Sequence, residues 1–374
     1  MIVSLVALLF QANAAAASVD RVVQEGIARG VFPGAVAVVG RHDTVLLARG
    51  YGHLTWSPRS AVPLPDSTLY DLASLTKVVA TVPAVMVLVD QGKVQLDRPV
   101  HEYLPDFQGA GKDRVTVRMV LSHNSGLPAW RPFFRQAHDA ASLRQLVMAE
   151  PLRWAPGSRV EYSDLNGMLM GWIVEAASGE PLERFVHDRV FQPAGMSQTG
   201  YRPPRAAWRR SAPVGVWRGT PVAGQVHDQN AARLGGVSGH AGLFSTGADL
   251  ARYAQLLLRG GRTPACSALI RPETVALFTR TAAPGRGLGY EMRDTTKADN
   301  TGTRLSARTF GHTGFTGTSL WIDPERDLFV ILLTNRVYAP RARHSIPLLK
   351  EIRGRVADAA VDLLAGLPPP SRGC

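Results

Sequence analysis

The chain has 374 residues, 45% of them hydrophobic, and a formal charge of +12 from 42 basic and 30 acidic side chains. That is ample apolar material for a sizeable core. The basic residues are scattered, which fits a solvated surface better than a stripe for nucleic acid or another polyanion, and the two cysteines, Cys266 and Cys374, are too few for a disulfide scaffold.

The chain opens with an apolar run, Ile2 to Phe10, followed by a small-x-small site, Ala12-Asn13-Ala14. This pattern predicts an export signal over residues 1–18 and an exported, periplasmic protein. No Lys or Arg precedes the run. It falls short of the roughly 20 apolar residues that span a bilayer, and no later stretch reaches that length. Sequence leaves open whether the segment is cleaved and whether Cys266 and Cys374 pair.

Gly34 to Gly40 and Thr44 to Arg49 are short β-rich runs around the polar turn Arg41-His42-Asp43, and they read as a hairpin. Leu75 to Gln91 is a long apolar segment ended by Gly92, and Pro83 inside it predicts a kink or a late helix start. Thr116 can cap a short helix through Leu121. Leu165 to Ala177 has helical periodicity and stops at Gly179; Asp249 to Arg259 stops at Gly260-Gly261. Thr316 to Asp323 and Leu328 to Thr334 form a second hairpin around Pro324-Glu325-Arg326-Asp327. Arg343 to Leu364 reads as a closing helix with Pro347 in its first turn. The expected fold class is α/β of the α+β kind. An antiparallel sheet unites the two ends of the chain, and a mostly helical region fills the middle. One compact unit is expected over 19–366, with a sheet part at about 19–92 and 265–366 and a helical part at about 93–264; residues 367–374 form a tail.

Only five of the basic residues are lysines: Lys77, Lys93, Lys112, Lys297 and Lys350. A chain that otherwise uses Arg and keeps Lys at a particular spot can need an amine that loses its proton, which guanidinium cannot do. Lys77 stands three residues after Ser74. At the start of a helix that spacing places the two side chains on one face. A serine hydroxyl is a weak nucleophile until an adjacent base takes its proton. Burial or a neighbouring cation would let an amine act as that base.

Two further segments carry chemistry. Tyr162-Ser163-Asp164 precedes a helix, and a tyrosine phenol can move a proton between nucleophile and leaving group. The structural alternative is a packing tyrosine with Asp164 as helix N-cap. Gly311-His312-Thr313-Gly314-Phe315-Thr316-Gly317 leads into a strand, and its glycines let a substrate backbone approach a strand edge. The backbone N–H of Phe315 could join that of Ser74 as an oxyanion hole. The structural alternative is a glycine-rich turn opening a hairpin.

Together these residues resemble the β-lactamase, DD-peptidase and esterase superfamily: S-x-x-K, then Y-x-[ND], then [KH]-T-G before a late strand. Leu121 to Pro128, Ala155-Pro156-Gly157 through Ser178-Gly179, and Gly242 to Thr246 with Asp249-Leu250-Ala251 are similar to further segments of that family, so the likeness runs from about residue 20 to about 360. The resemblance implies a β-lactamase/transpeptidase-like fold and a serine hydrolase acting through an acyl-serine on a β-lactam, a D-Ala-D-Ala-type peptide or a small ester. Ser74 would be acylated, with Lys77 and Tyr162 managing protons. Asp164, His312, Thr313, Gly314 and Phe315 would line the substrate. Arg343 matches a family Arg near the substrate carboxylate pocket, and Trp130 could line the cleft mouth or sit in the core.

Two departures bear on substrate. Many β-lactamases have Lys where His312 stands, so a permanent cation for a substrate carboxylate is replaced by a group titrating near neutrality. Many have Asn where Asp164 stands. An ionised Asp cannot donate to a substrate carbonyl, and near Lys77 it favours the charged amine. Tyr162-Ser163-Asp164 with His227-Asp228 and Gly239-His240-Ala241-Gly242 looks most like the branch containing penicillin-binding protein 4B. The alternative to a turning-over enzyme is a penicillin-binding sensor or scaffold that acylates once. No cofactor is expected. His227, Asp228, His240 and His312 lack zinc-ligand spacing, so no metal is expected either. No G-x-S-x-G elbow, phosphate loop or dinucleotide fingerprint occurs. The expected partner is a small-molecule or peptidoglycan-peptide substrate, not nucleic acid, and the oligomeric state is open.

Overall fold

The computed structural model describes residues 16–365 except residue 298. Most of the expected export signal, the tail 367–374 and any bridge to Cys374 therefore lie outside the described residues.

Six strands form one antiparallel sheet in the spatial order Val45–Gly52, Gly34–Gly40, Leu328–Thr334, Ser319–Asp323, Phe310–Thr313, Glu291–Met292. The two ends of the chain meet where Gly34–Gly40 pairs with Leu328–Thr334, in register from Ala35 opposite Thr334 to Gly40 opposite Phe329. All seven residues of Gly34–Gly40 are buried, because both faces of the sheet are covered. Val36 and Val38 point into the large core shared with the middle of the chain. Ala35, Ala37 and Val39 point to the other face, where the helix over 16–28 and the helix Ser345–Asp362 pack. The alternation is the period-2 geometry of a strand, and each buried Val or Leu contributes roughly 1.5–3 kcal/mol before entropy is counted.

The expected mixed α/β architecture with a two-ended antiparallel sheet is found. Differences from the sequence reading are local. The late hairpin strand begins at Ser319, not Thr316, because Gly314 N–H donates to Thr318 O at 2.7 Å and closes a turn there. The strand Phe310–Thr313, which ends in His312-Thr313 and lies next to the edge strand Glu291–Met292, was not anticipated.

The apolar segment after Ser74 opens with a wide π-helical turn, Lys77–Thr81, before the α-helix Val82–Asp90. Pro83 lies in the first turn of that helix, where its missing N–H costs nothing, so the late start was realised rather than a kink. Val82 to Leu88 are all buried, which makes this a central helix, apolar on every side. The polar end of that element, at Ser74 and Lys77, is consequently driven to the edge of the core.

Candidate active site

Ser74 sits on a tight turn rather than in regular helix. Ala73 before it is left-handed, φ 47°, a strained conformation for a residue with a β-carbon. Buried Asp71 holds it there: Oδ1 accepts the Ala73 N–H at 2.8 Å and Oδ2 accepts the His227 N–H at 2.7 Å. Burial, opposed by these two N–H groups, pushes the Asp71 carboxyl up to about 6. The Asp71 and Leu72 carbonyls accept the hydroxyls of Thr316 and Thr318, which binds the nucleophile turn to the turn after His312.

Lys77 is 3% exposed, and its Nζ is the hub of the site. It donates to Tyr162 Oη at 2.7 Å, to Asp164 Oδ1 at 2.7 Å and to the His240 carbonyl at 3.2 Å, and lies 3.4 Å from Ser74 Oγ. Burial favours the neutral amine, but the Asp164 carboxylate and the Tyr162 oxygen outweigh it and hold Lys77 above its ordinary value. An ammonium has three hydrogens, and the three shortest contacts use them all, so Ser74 faces a nitrogen without a free lone pair. Burial raises the Tyr162 phenol against the opposing charge of Lys77.

Asp164 is the first residue of the helix Asp164–Ser178, whose N-cap is Ser163. Its carboxylate faces Lys77 and caps nothing, so the N-cap alternative does not hold. The same helix crosses the His240 segment at backbone contact. A β-carbon on Gly239 would stand 2.1 Å from Gly167 O, so only glycine lets the His240 carbonyl reach Lys77. The His240 ring is 1% exposed on its side chain and engaged at both nitrogens, by Ser238 Oγ at 2.7 Å and Asp228 Oδ1 at 3.0 Å. Ligand atoms of Asp164, Asp228 and His240 lie within 4.8 Å of one another, the grouping in this region best placed for a cation. The Lys77 ammonium, at 2.7 Å from Asp164, already supplies positive charge there.

A cleft of about 890 Å³ opens over Ser74. Of the residues the sequence singled out, Ser74, Trp130, Tyr162, Asp164, His312, Thr313, Gly314 and Phe315 line it, and Lys77 lies just beneath. Trp130 is 45% exposed at its mouth, not in the core. Among the described residues neither the Ser74 N–H nor the Phe315 N–H has a hydrogen-bond partner. The Phe315 carbonyl accepts from Arg336 Nη2, whose guanidinium also lies over the Phe315 ring.

Two expectations are corrected. His312 does not titrate near neutrality. It is 3% exposed, its Nδ1 bonds the Thr313 carbonyl at 2.7 Å, and burial, then Arg286 and Lys77, hold it well below the ordinary histidine value. A ring that donates at Nδ1 while neutral carries a lone pair at Nε2, which can accept a hydrogen bond but cannot pair with a carboxylate. Arg343 is exposed and does not line the cleft. The N–H groups of Arg341 and Ala342 both donate to Gly30 O at 3.0 Å, which ties this loop to the far side of the sheet.

The cations in the cleft are ones the sequence reading passed over. Arg286, Lys350 and Arg353 line it around Glu291, whose raised carboxyl reflects burial opposed by these three charges. Arg286 lies over the Tyr162 ring, 5.2 Å from its centroid, and its Nη1 is buried without a partner. Lys350 and Arg353 sit on the C-terminal helix, and nothing in local sequence ties that helix to Ser74.

Comparison with known proteins gives the family and the fold. The Beta-lactamase family model matches residues 19–353. A protein of Escherichia coli K12 described as "Putative D-alanyl-D-alanine carboxypeptidase" is 35% identical over 313 residues, covering 75% of this chain and 72% of its own. A protein of the same description from Escherichia coli O157:H7 is 32% identical, covering 86% of this chain and 82% of its own. Among solved structures, the hydrolase EstCE1, with promiscuous acyltransferase activity, superposes with TM-score 0.74 at 23% identity over 92% of this chain and 99% of its own. A penicillin-binding protein homologue from Caulobacter crescentus gives TM-score 0.74 at 21% identity over 92% and 97%. The likeness to these two concerns the fold. The chain belongs to the β-lactamase family, in the β-lactamase and penicillin-binding-protein superfamily of serine hydrolases.

Proposed function

We propose that this hydrolase is an exported D-alanyl-D-alanine carboxypeptidase-type enzyme working through an acyl group on Ser74. The observation that carries the reading is the Lys77 Nζ, which touches Ser74, Tyr162 and Asp164 at once beneath a cleft large enough for a peptide end. Once Lys77 has lost a proton, its amine takes the Ser74 hydroxyl proton as Oγ attacks the substrate carbonyl. Charge developing on the carbonyl oxygen meets the free N–H groups of Ser74 and Phe315. Tyr162 passes a proton to the departing amine, and water then hydrolyses the acyl-serine.

The substrate class is supported by two things. Curated relatives carry the carboxypeptidase description. The cleft also gathers Arg286, Lys350 and Arg353 around Glu291, and Arg286 flanks the Tyr162 side where a leaving group with a free carboxylate would lie.

The test is mass spectrometry of the purified protein after fluorescent penicillin and, separately, after p-nitrophenyl acetate, with product release followed in parallel and Ser74→Ala as control. A stable penicillin adduct on Ser74 with slow release supports the peptidase reading. Rapid ester turnover without an adduct supports an esterase on the same fold. A single acylation with no turnover on any peptide or ester supports a penicillin-binding sensor. Wild-type rates in Ser74→Ala would end the acyl-serine assignment altogether.

A further inference from the structure

His123 belongs to the segment Leu121 to Pro128 and had no chemical role in the sequence reading. It follows the short helix Val117–Leu121, and its backbone is left-handed, φ 57°. A residue with a β-carbon stays in that region only where its surroundings hold it, and such residues gather at functional sites.

What it contacts is the chain on both sides of Tyr162. The His123 carbonyl accepts the Glu161 N–H at 2.8 Å, and ring Nδ1 accepts the Ser163 N–H at 3.1 Å. Between those two anchors the Tyr162 ring packs on the imidazole, with centroids 4.8 Å apart. The opposite neighbours of the phenol ring are His312, at 5.2 Å between centroids, and the Arg286 guanidinium.

The tautomer follows from the partners. A backbone N–H can only donate, so Nδ1 of His123 is an acceptor and the ring proton is on Nε2. Asn166 agrees: its Oδ1 accepts the Ser125 hydroxyl at 2.7 Å, which turns its amide nitrogen toward His123 Nδ1 at 3.2 Å. Protonation of Nδ1 would set a donor against two donors. The groups facing the ring work against it. Burial, then the positive charges of Arg286 and Lys77, then His312, hold His123 well below the ordinary histidine value.

We infer that His123 is the positioning residue for Tyr162: neutral and Nε2-protonated, it fixes the main chain at Glu161 and Ser163 so that the phenol oxygen stays on Lys77 Nζ and in reach of the leaving group. The inference rests on the reading of Tyr162 as proton carrier given above. It predicts a loss that depends on how much the leaving group needs a proton. p-Nitrophenolate departs readily as an anion, whereas phenolate needs more help.

The experiment compares kcat/KM for p-nitrophenyl acetate and phenyl acetate in wild type, His123→Ala, His123→Asn, Tyr162→Phe and the double variant His123→Ala/Tyr162→Phe. In His123→Ala the phenyl ester should lose about tenfold more than the p-nitrophenyl ester, within the range of general acid–base effects. His123→Asn, whose Oδ1 can accept the Ser163 N–H, should recover most of that difference. Adding His123→Ala to Tyr162→Phe should change the ratio of the two esters little, because His123 acts through Tyr162. Equal losses on both esters in His123→Ala, with a normal leaving-group response in Tyr162→Phe, would overturn the inference alone and leave His123 a folding residue. No leaving-group response in Tyr162→Phe would overturn the proton-carrier reading and this inference with it.

Discussion

Lys77 Nζ lies 2.7 Å from Asp164 Oδ1 and 3.4 Å from Ser74 Oγ, so in the resting site the amine is closer to its counter-ion than to the nucleophile it would activate. The ion pair holds the proton on nitrogen, and catalysis should therefore depend on removing it.

Asp164→Asn is expected to free the amine. Loss of an adjacent opposite charge lowers an amine's pKa by about one unit or more. The rise of acylation rate with pH should shift to lower pH by about that amount, measured with fluorescent penicillin between pH 6 and 10. An unshifted profile would mean that Asp164 does not control the charge on Lys77.

Asp71 supplies an acid limb. Its carboxyl, pushed up to about 6 by burial, must be ionised to accept both the Ala73 and His227 N–H groups. kcat/KM should fall as pH drops through about 6, and the limb should be missing in Asp71→Asn. Stability moves the other way. A carboxyl whose folded pKa lies above its unfolded value destabilises the fold at neutral pH, and that penalty is relieved as pH falls through 6 toward 4. The stability of Asp71→Asn relative to wild type should thus decline between pH 7.5 and 4.5, by about 2 kcal/mol in urea unfolding. Superimposable pH–rate profiles in the two proteins would remove Asp71 from the mechanism.

Gly239→Ala tests the backbone contact under the site. The added methyl meets Gly167 O at 2.1 Å and Gly171 N at 2.6 Å, atoms that cannot swing away. Forced overpacking of this kind costs about 1–3 kcal/mol. Melting should fall by several degrees, and acylation should slow because the His240 carbonyl is displaced from Lys77. A variant with wild-type melting and acylation would show that the helix has room to shift.

Arg286 should set the preference for a carboxylate on the leaving group. For an N-acylated D-alanyl-D-alanine and its C-terminal carboxamide, wild type should favour the free acid by about tenfold, the scale of one charge-assisted hydrogen bond. Arg286→Gln should lose most of that preference. If the ratio is unchanged in the variant, Lys350 and Arg353 are the next residues to examine.

Sequence alone determined a good deal here, because some constraints are local. The valine-rich strands Gly34–Gly40 and Leu328–Thr334 announce themselves by composition and by polar turns between them. Ser74 and Lys77 meet because a spacing of three closes one turn of chain, the Lys77 N–H donating to the Ser74 carbonyl at 3.2 Å. Tyr162 and His312-Thr313-Gly314 could be placed beside them only through the family pattern. The sequence reading did not reach groups whose role depends on distant packing. His312 and Arg343 were carboxylate ligands by the family pattern, yet burial to 3% exposure makes the first neutral and a tether of the neighbouring residues to Gly30 carries the second away. Arg286, on the loop just before Glu291, meets Lys350 and Arg353, which come from the last helix far along the chain. The charge state of a side chain is set by how much water and which charges the folded chain leaves around it. Residue identity fixed the chemistry available at each position, and the tertiary structure decided which groups meet in the cleft and which of them carry a proton.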